Sequence, residues 1–277
     1  MDVIMAKKSV IVLFILFLSS FAYSGEDLRD AVDRLLTVSG SKTQVSQYPS
    51  LFKAQLEAQK NYMEYRVYSL IEQSMMRAFG NNAFHADMTD YLEKNASVSG
   101  LRPVLDWYNS PLAKKMVDLE VKMTTPEEYR KMSIYAMKLQ SEPPSDERMV
   151  LVQKLDAVLE ASQLSKQVLS VFFKSFLQGF NAVQIEGQKK SVEELEAQLK
   201  QINDRLDAQV KGQIMVTFLY MYNTASDDEL REYISFYESQ HGHYFAKLMS
   251  DATIYAFEKY AQRYGTALAE ILKKELK

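Results

Sequence analysis

The chain has 277 residues, with 33 Lys and Arg against 36 Asp and Glu, a net charge of −3 and no cysteine. This near balance, with no basic stripe, excludes nucleic acid as the partner. The lack of cysteine excludes disulfides, thiol catalysis and a lipid-acylated terminus, so stability must come from the core. With 47% apolar residues, nine Gly, six Pro and no alternating apolar runs, the composition predicts an all-α fold.

In chain order, Met1 to Ser24 reads as a secretory signal peptide. Lys7 and Lys8 give the charged start, Val10 to Leu18 the apolar core, and Ala22 and Ser24 the small residues before a cut at Gly25. Met5 is an alternative start. The apolar core falls short of the roughly 20 residues of a spanning helix. The expectation is a periplasmic protein, or as an alternative a secreted one, that is not integral to the membrane.

A first mature helix is expected from Glu26 to Val38, ended by Gly40, and a second from Ser50, after Pro49, to Phe79. The latter carries Tyr62, Tyr65 and Tyr68, a stripe read as core. A short helix from Phe84 to Lys94 is expected to be closed by Ser99 and Gly100. Thr125-Pro126-Glu127-Glu128 is a helix start, with Thr as N-cap and Pro at the first position, and that helix should end near Gln140. Residues 141–145, with Pro143 and Pro144, form the clearest linker. After it, Asp146 to Ala161 opens a second set of helices. Phe172, Phe176 and Phe180 then recur every fourth residue on the most apolar helix face of the protein. This face is read as core, with an apolar groove as the sharper alternative. Ser191-Val192-Glu193-Glu194 and Ser226-Asp227-Asp228-Glu229 start further helices, and Asp251 to Leu276 is the last.

One stretch is used twice. LRPVLDWYNSPLAKKM (Leu101 to Met116) and LREYISFYESQHGHYF (Leu230 to Phe245) align at an offset of 129, pairing Leu101 with Leu230, Trp107 with Phe236, Tyr108 with Tyr237 and Ser110 with Ser239. A weaker echo pairs Asp33 with Asp156 at an offset of 123. Each copy of the stretch reads as a helix, a break at the Ser, and a second helix. Pro111 makes the break in the first copy and Gly242 loosens it in the second. The predicted organisation is a signal at 1–24, a helical module at 25–140, the linker at 141–145 and a second, related module at 146–277. Tyr108 and Tyr237 are predicted to be buried against Leu35 and Leu36, and Val158 and Leu159, with each hydroxyl at its own Ser break.

The stretches Trp107-Tyr108-Asn109-Ser110-Pro111-Leu112-Ala113 and Phe236-Tyr237-Glu238-Ser239-Gln240-His241-Gly242 resemble the signature of an exported bacterial family, the domain of unknown function 2059. The first has Ala113 where that family usually has Gly; the second keeps Gly242 and lacks the Pro. The resemblance implies a helical fold and export, and carries over no catalytic residue and no cofactor.

Three function classes remain, in order of preference. The first is a non-enzymatic periplasmic interaction or structural protein whose partner is another envelope protein. The second is a carrier of an apolar small molecule or lipid. The third is a hydrolase or metal enzyme around Glu238, His241 and His243. The two histidines diverge by about 200° on a helix, so they are predicted not to share a metal. Paired acidic residues at the helix starts are accounted for by capping and the helix dipole.

Overall fold

The computed structural model describes residues 27–80, 82–182 and 189–275. The signal segment lies outside the described residues. The fold is all-α. Its first half comprises α1 (Leu28–Val38), α2 (Ser41–Gln59), α3 (Tyr65–Phe79), α4 (Ala83–Asn95), α5 (Val98–Tyr108), α6 (Pro111–Lys122) and α7 (Pro126–Lys138). Residues 139–145 are non-helical. The second half comprises α8 (Asp146–Leu159), α9 (Ala161–Ala182), α10 (Val192–Met221), α11 (Asp227–Glu238) and α12 (Gln240–Glu275).

The helix starts follow local chemistry. Thr125 accepts a hydrogen bond from the Glu128 amide with Pro126 at the first position of α7. Ser191 and Ser226 form reciprocal capping boxes with Glu194 and Glu229. Each box satisfies two amides that a helix end leaves open.

Four local expectations are corrected. Pro49 does not start a helix; it lies inside α2. The rings flanking it explain this: Tyr48 stacks on Phe257 at 5.8 Å and Phe52 meets Phe79 at 5.4 Å. That packing outweighs the roughly 3 kcal/mol an interior proline costs. The break falls later, at the 3-10 turn Lys60–Tyr62 and the extended residues Met63 and Glu64. As a result Tyr62 and Tyr65 are 86% and 74% exposed, and of the tyrosine stripe only Tyr68 is buried. Ser99 and Gly100 lie within α5, whose N-cap is Ser97. Gly242 does not loosen α12 either. A Cβ there would sit 1.9 Å from the Phe236 carbonyl oxygen, so glycine is what lets the last turn of α11 approach.

The two halves exchange helices. Beyond its first turns, α12 runs across α3 and α4 of the first half. Phe257 meets Phe84 at 4.6 Å, Tyr260 meets Phe79 at 4.4 Å, and Arg263 donates to Asp87 at 2.7 Å and to the Ala78 carbonyl at 2.9 Å. In return α7 of the first half lies on α10 of the second, where the Tyr220 hydroxyl donates to Glu128 at 2.8 Å. One continuous core includes Leu35, Leu101 and Met116 together with Leu155, Leu230 and Leu268, all nearly inaccessible. Each such buried side chain contributes about 2 kcal/mol.

Candidate ligand cleft between the two halves

The repeated stretches meet at the centre of the molecule. Helices α5 and α11 begin at Val98 and Asp227, and α6 and α12 at Pro111 and Gln240, so both pairs of starts keep the offset of 129. Ser110 caps α6 by accepting from the Ala113 amide at 3.1 Å, and Ser239 accepts from the Gly242 amide at the same distance. Pro111 fills the first position of α6. Trp107 stacks on Phe236 with ring centres 4.0 Å apart and planes 17° from parallel. The α1–α2 and α8–α9 junctions also each pass through a left-handed residue, Gly40 and Glu160. Those two are 120 positions apart, so the offset of 123 does not extend to them.

Tyr108 and Tyr237 are both buried. Their hydroxyls do not point to the Ser breaks. They face each other at 3.4 Å, and Tyr237 is also 3.4 Å from the Tyr233 hydroxyl. The serine hydroxyls are already engaged in capping, which leaves the phenols to one another.

Glu120 completes this cluster. On α6, Ala113, Met116 and Glu120 follow at steps of three and four, so the carboxylate lies on the buried stripe of its helix. It accepts from the Tyr222 hydroxyl at 2.8 Å and from the Tyr233 hydroxyl. Burial pushes its carboxyl above the usual carboxylate range, against the pull of the two phenol donors. Burial also raises Tyr108, Tyr222, Tyr233 and Tyr237, with the Glu120 charge adding to the shift in all four. These phenols stay protonated at neutral pH.

The cluster forms one wall of a cleft of about 290 Å³. The first half contributes Ser39, Ser41, Gln44, Tyr108 and Glu120; the second contributes Phe218, Met221, Tyr222, Tyr233, Tyr237 and Phe245 among others. Met249, which aligns with Glu120 at the offset of 129, lines the same cleft. The pseudo-equivalent positions thus differ: one is a carboxylate, the other a thioether.

The remaining expected residues fall elsewhere. Leu101 and Leu230 are fully buried in the core. Phe172 is half-buried, tilted against Tyr264 at 5.3 Å and stacked on Tyr260 at 6.4 Å. The side chains of Phe176 and Phe180 lie outside the described ones. His241 and His243 are exposed in the first turn of α12. Glu238 and His243 border a separate hollow with Glu160 and Lys247. Among the described residues, no group of three or more His, Cys, Asp or Glu side chains is placed to hold a metal ion. Sequence reasoning missed Glu120, Tyr222 and Tyr233. The signal was present in Glu120, a carboxylate on the apolar stripe of an amphipathic helix.

The described chain is thus an all-α protein with a polar cluster between the α5–α6 and α11–α12 helix pairs. Residues 82–142, from α4 through α7, match the family described as uncharacterized protein conserved in bacteria (DUF2059). That segment includes the Trp107 to Ala113 signature and Glu120; the Phe236 to Gly242 stretch lies outside it. No curated protein and no solved structure matches the chain.

Proposed function

We propose that this chain is a non-enzymatic binding protein of the bacterial envelope that holds a small organic molecule between its two halves. The observation that carries the reading is Glu120. Its carboxyl is anchored by Tyr222 and Tyr233 at the wall of a cleft whose other surfaces are mainly aromatic and aliphatic. Mostly apolar walls with a few placed polar groups are the usual make-up of a ligand site, and a perturbed carboxyl in such a place is a mark of function. The envelope assignment rests on the Met1 to Ser24 pattern and on the bacterial family matched by residues 82–142. No helix among the described residues is long and apolar enough to cross a membrane.

The reading includes a duplication, with modules at 25–140 and 146–277, in which the second α5–α6 equivalent supplies Tyr233, Tyr237, Phe245, Ala246, Met249 and Ser250 to the cleft. A second role, docking on another envelope protein, is favoured by Tyr62 and Tyr65, exposed where α2 gives way to α3. Native mass spectrometry on protein released gently from the envelope tests both. A bound small-molecule mass, lost on replacing Tyr233 by Ala, supports the cleft. A co-purifying protein lost on replacing Tyr62 and Tyr65 by Ser, with no small-molecule mass, supports docking and removes the cleft reading.

A further inference from the structure

We infer that the occupant of the cleft is an organic cation, a small body carrying an ammonium or quaternary ammonium group. This rests on reading the cleft as a binding site and names the class of ligand it takes. Glu120 is the one charged side chain among the 17 described residues that line the cleft; the lining holds no Lys, Arg or His. Lys115, on the same helix, is committed to Glu229 at 2.7 Å. Glu120 therefore has hydrogen-bond donors but no countercharge. A half-buried carboxylate without a cation has lost part of its hydration, and a ligand ammonium offsets that loss.

The remaining walls suit the same group. Six rings line the cleft: Tyr108, Phe218, Tyr222, Tyr233, Tyr237 and Phe245. They form a linked wall, with successive centres 5.9 Å apart from Phe218 to Tyr222 to Tyr233, then 5.1 Å to Tyr237 and 6.4 Å to Phe245. Aromatic faces attract cations, most strongly where water is excluded, and aromatic cages are the common means of holding quaternary ammonium groups. A metal ion fits less well. Calcium takes about six to eight oxygen ligands, and this lining offers one carboxyl group, four phenols that are held neutral, three serines and a glutamine.

The competing state is an empty cleft with Glu120 protonated, which its raised pKa favours. Ligand binding and proton binding then exclude each other. The facing titratable groups are Tyr108 from α5, Tyr222 from the end of α10, and Tyr233 and Tyr237 from α11. All four are shifted upward, so Glu120 is the group whose charge changes in the acid range.

The test uses the mature full-length chain with choline and its uncharged carbon isostere, 3,3-dimethylbutanol, followed by calorimetry. Choline is expected to bind about tenfold or more tightly than the alcohol. Glu120→Gln, which keeps an acceptor for both phenols, should erase that preference while still unfolding in one cooperative urea transition. If choline and the alcohol bind equally, to parent and variant alike, the cation inference is overturned and the binding reading stands. If neither binds at millimolar concentration, both are overturned. Should Glu120→Gln not fold, the parent decides alone: choline affinity must fall as pH is lowered through the carboxyl range, and affinity that holds steady overturns the inference.

Discussion

The hydroxyl oxygens of Tyr108 and Tyr237 lie 3.4 Å apart, although 129 positions separate the two residues in sequence. Each ring occupies the same place in its own helix, three residues before the first position of the next helix. The two repeated stretches therefore pack against each other through equivalent residues, as the Trp107–Phe236 stack also shows.

Both rings are buried, so Tyr108→Ala and Tyr237→Ala should each cost about 3–5 kcal/mol in urea unfolding. A separation of 3.4 Å is long for a hydroxyl pair, so Tyr108→Phe and Tyr237→Phe should each cost only about 0.5–1.5 kcal/mol. The double Phe variant should cost less than the sum of the singles, because both remove one shared contact. Strict additivity would show that the two hydroxyls do not interact.

Glu120 gives stability a pH dependence of definite sign. Its folded-state carboxyl is pushed up by burial, so the folded protein holds this proton more tightly than the unfolded chain does. The resulting stabilisation is full below the ordinary carboxylate range and is lost as pH rises through the raised folded value. Glu120→Gln cannot ionise. Its urea midpoint relative to the parent should therefore improve between about pH 4 and pH 7. A constant gap between the two midpoints across that range would show that Glu120 titrates as it does in the unfolded chain.

Two glycines should respond in opposite directions to the same change. At Gly242 a Cβ collides with the backbone of Phe236 and Tyr237, at 1.9 to 2.7 Å. Gly242→Ala should cost about 3 kcal/mol, the upper end for an overpacked site. At Gly212, within α10, a Cβ meets nothing within 4 Å. Gly212→Ala should stabilise by about 0.5–1 kcal/mol, because alanine loses less backbone freedom in a helix. Thermal melts of the two variants measure both signs, and a harmless Gly242→Ala would mean that α11 and α12 can separate at no cost.

The division at the proline linker can be tested with two polypeptides, 25–145 and 146–277. Because α12 lies on α3 and α4 and α7 lies on α10, neither piece alone should unfold cooperatively, and mixing them should restore a single cooperative transition. Two pieces that each melt cooperatively by themselves would mark them as independent modules.

Much of the helix pattern was legible in the sequence, because helix starts are written locally. Ser191, Ser226, Ser110 and Thr125 announce themselves by type and by a Glu or Pro within the next three residues. The place of Pro49 is not written locally, because its surroundings decide it: Tyr48 and Phe52 find rings from α3, α4 and α12, and no local rule contains that information. The cleft was half legible. The alignment singled out Tyr108 and Tyr237, yet it gave no sign that they meet. Glu120 lies one turn beyond Met116, past the end of the repeated stretch, so the alignment of the two copies does not reach it.

The crossing of α12 over α3 and α4 has a consequence for the order of folding. Synthesis delivers Ala78, Phe79 and Phe84 early, while Phe257, Tyr260 and Arg263, which meet them, come about 180 positions later. Contacts of that separation form slowly, since a long loop must close before they yield any stabilisation. The first half must therefore wait with its aromatic surface open until the last helix arrives. A chain ending before Ile254 would leave that surface without its cover, so the last helix to be made is the one that closes the aromatic face of the first half.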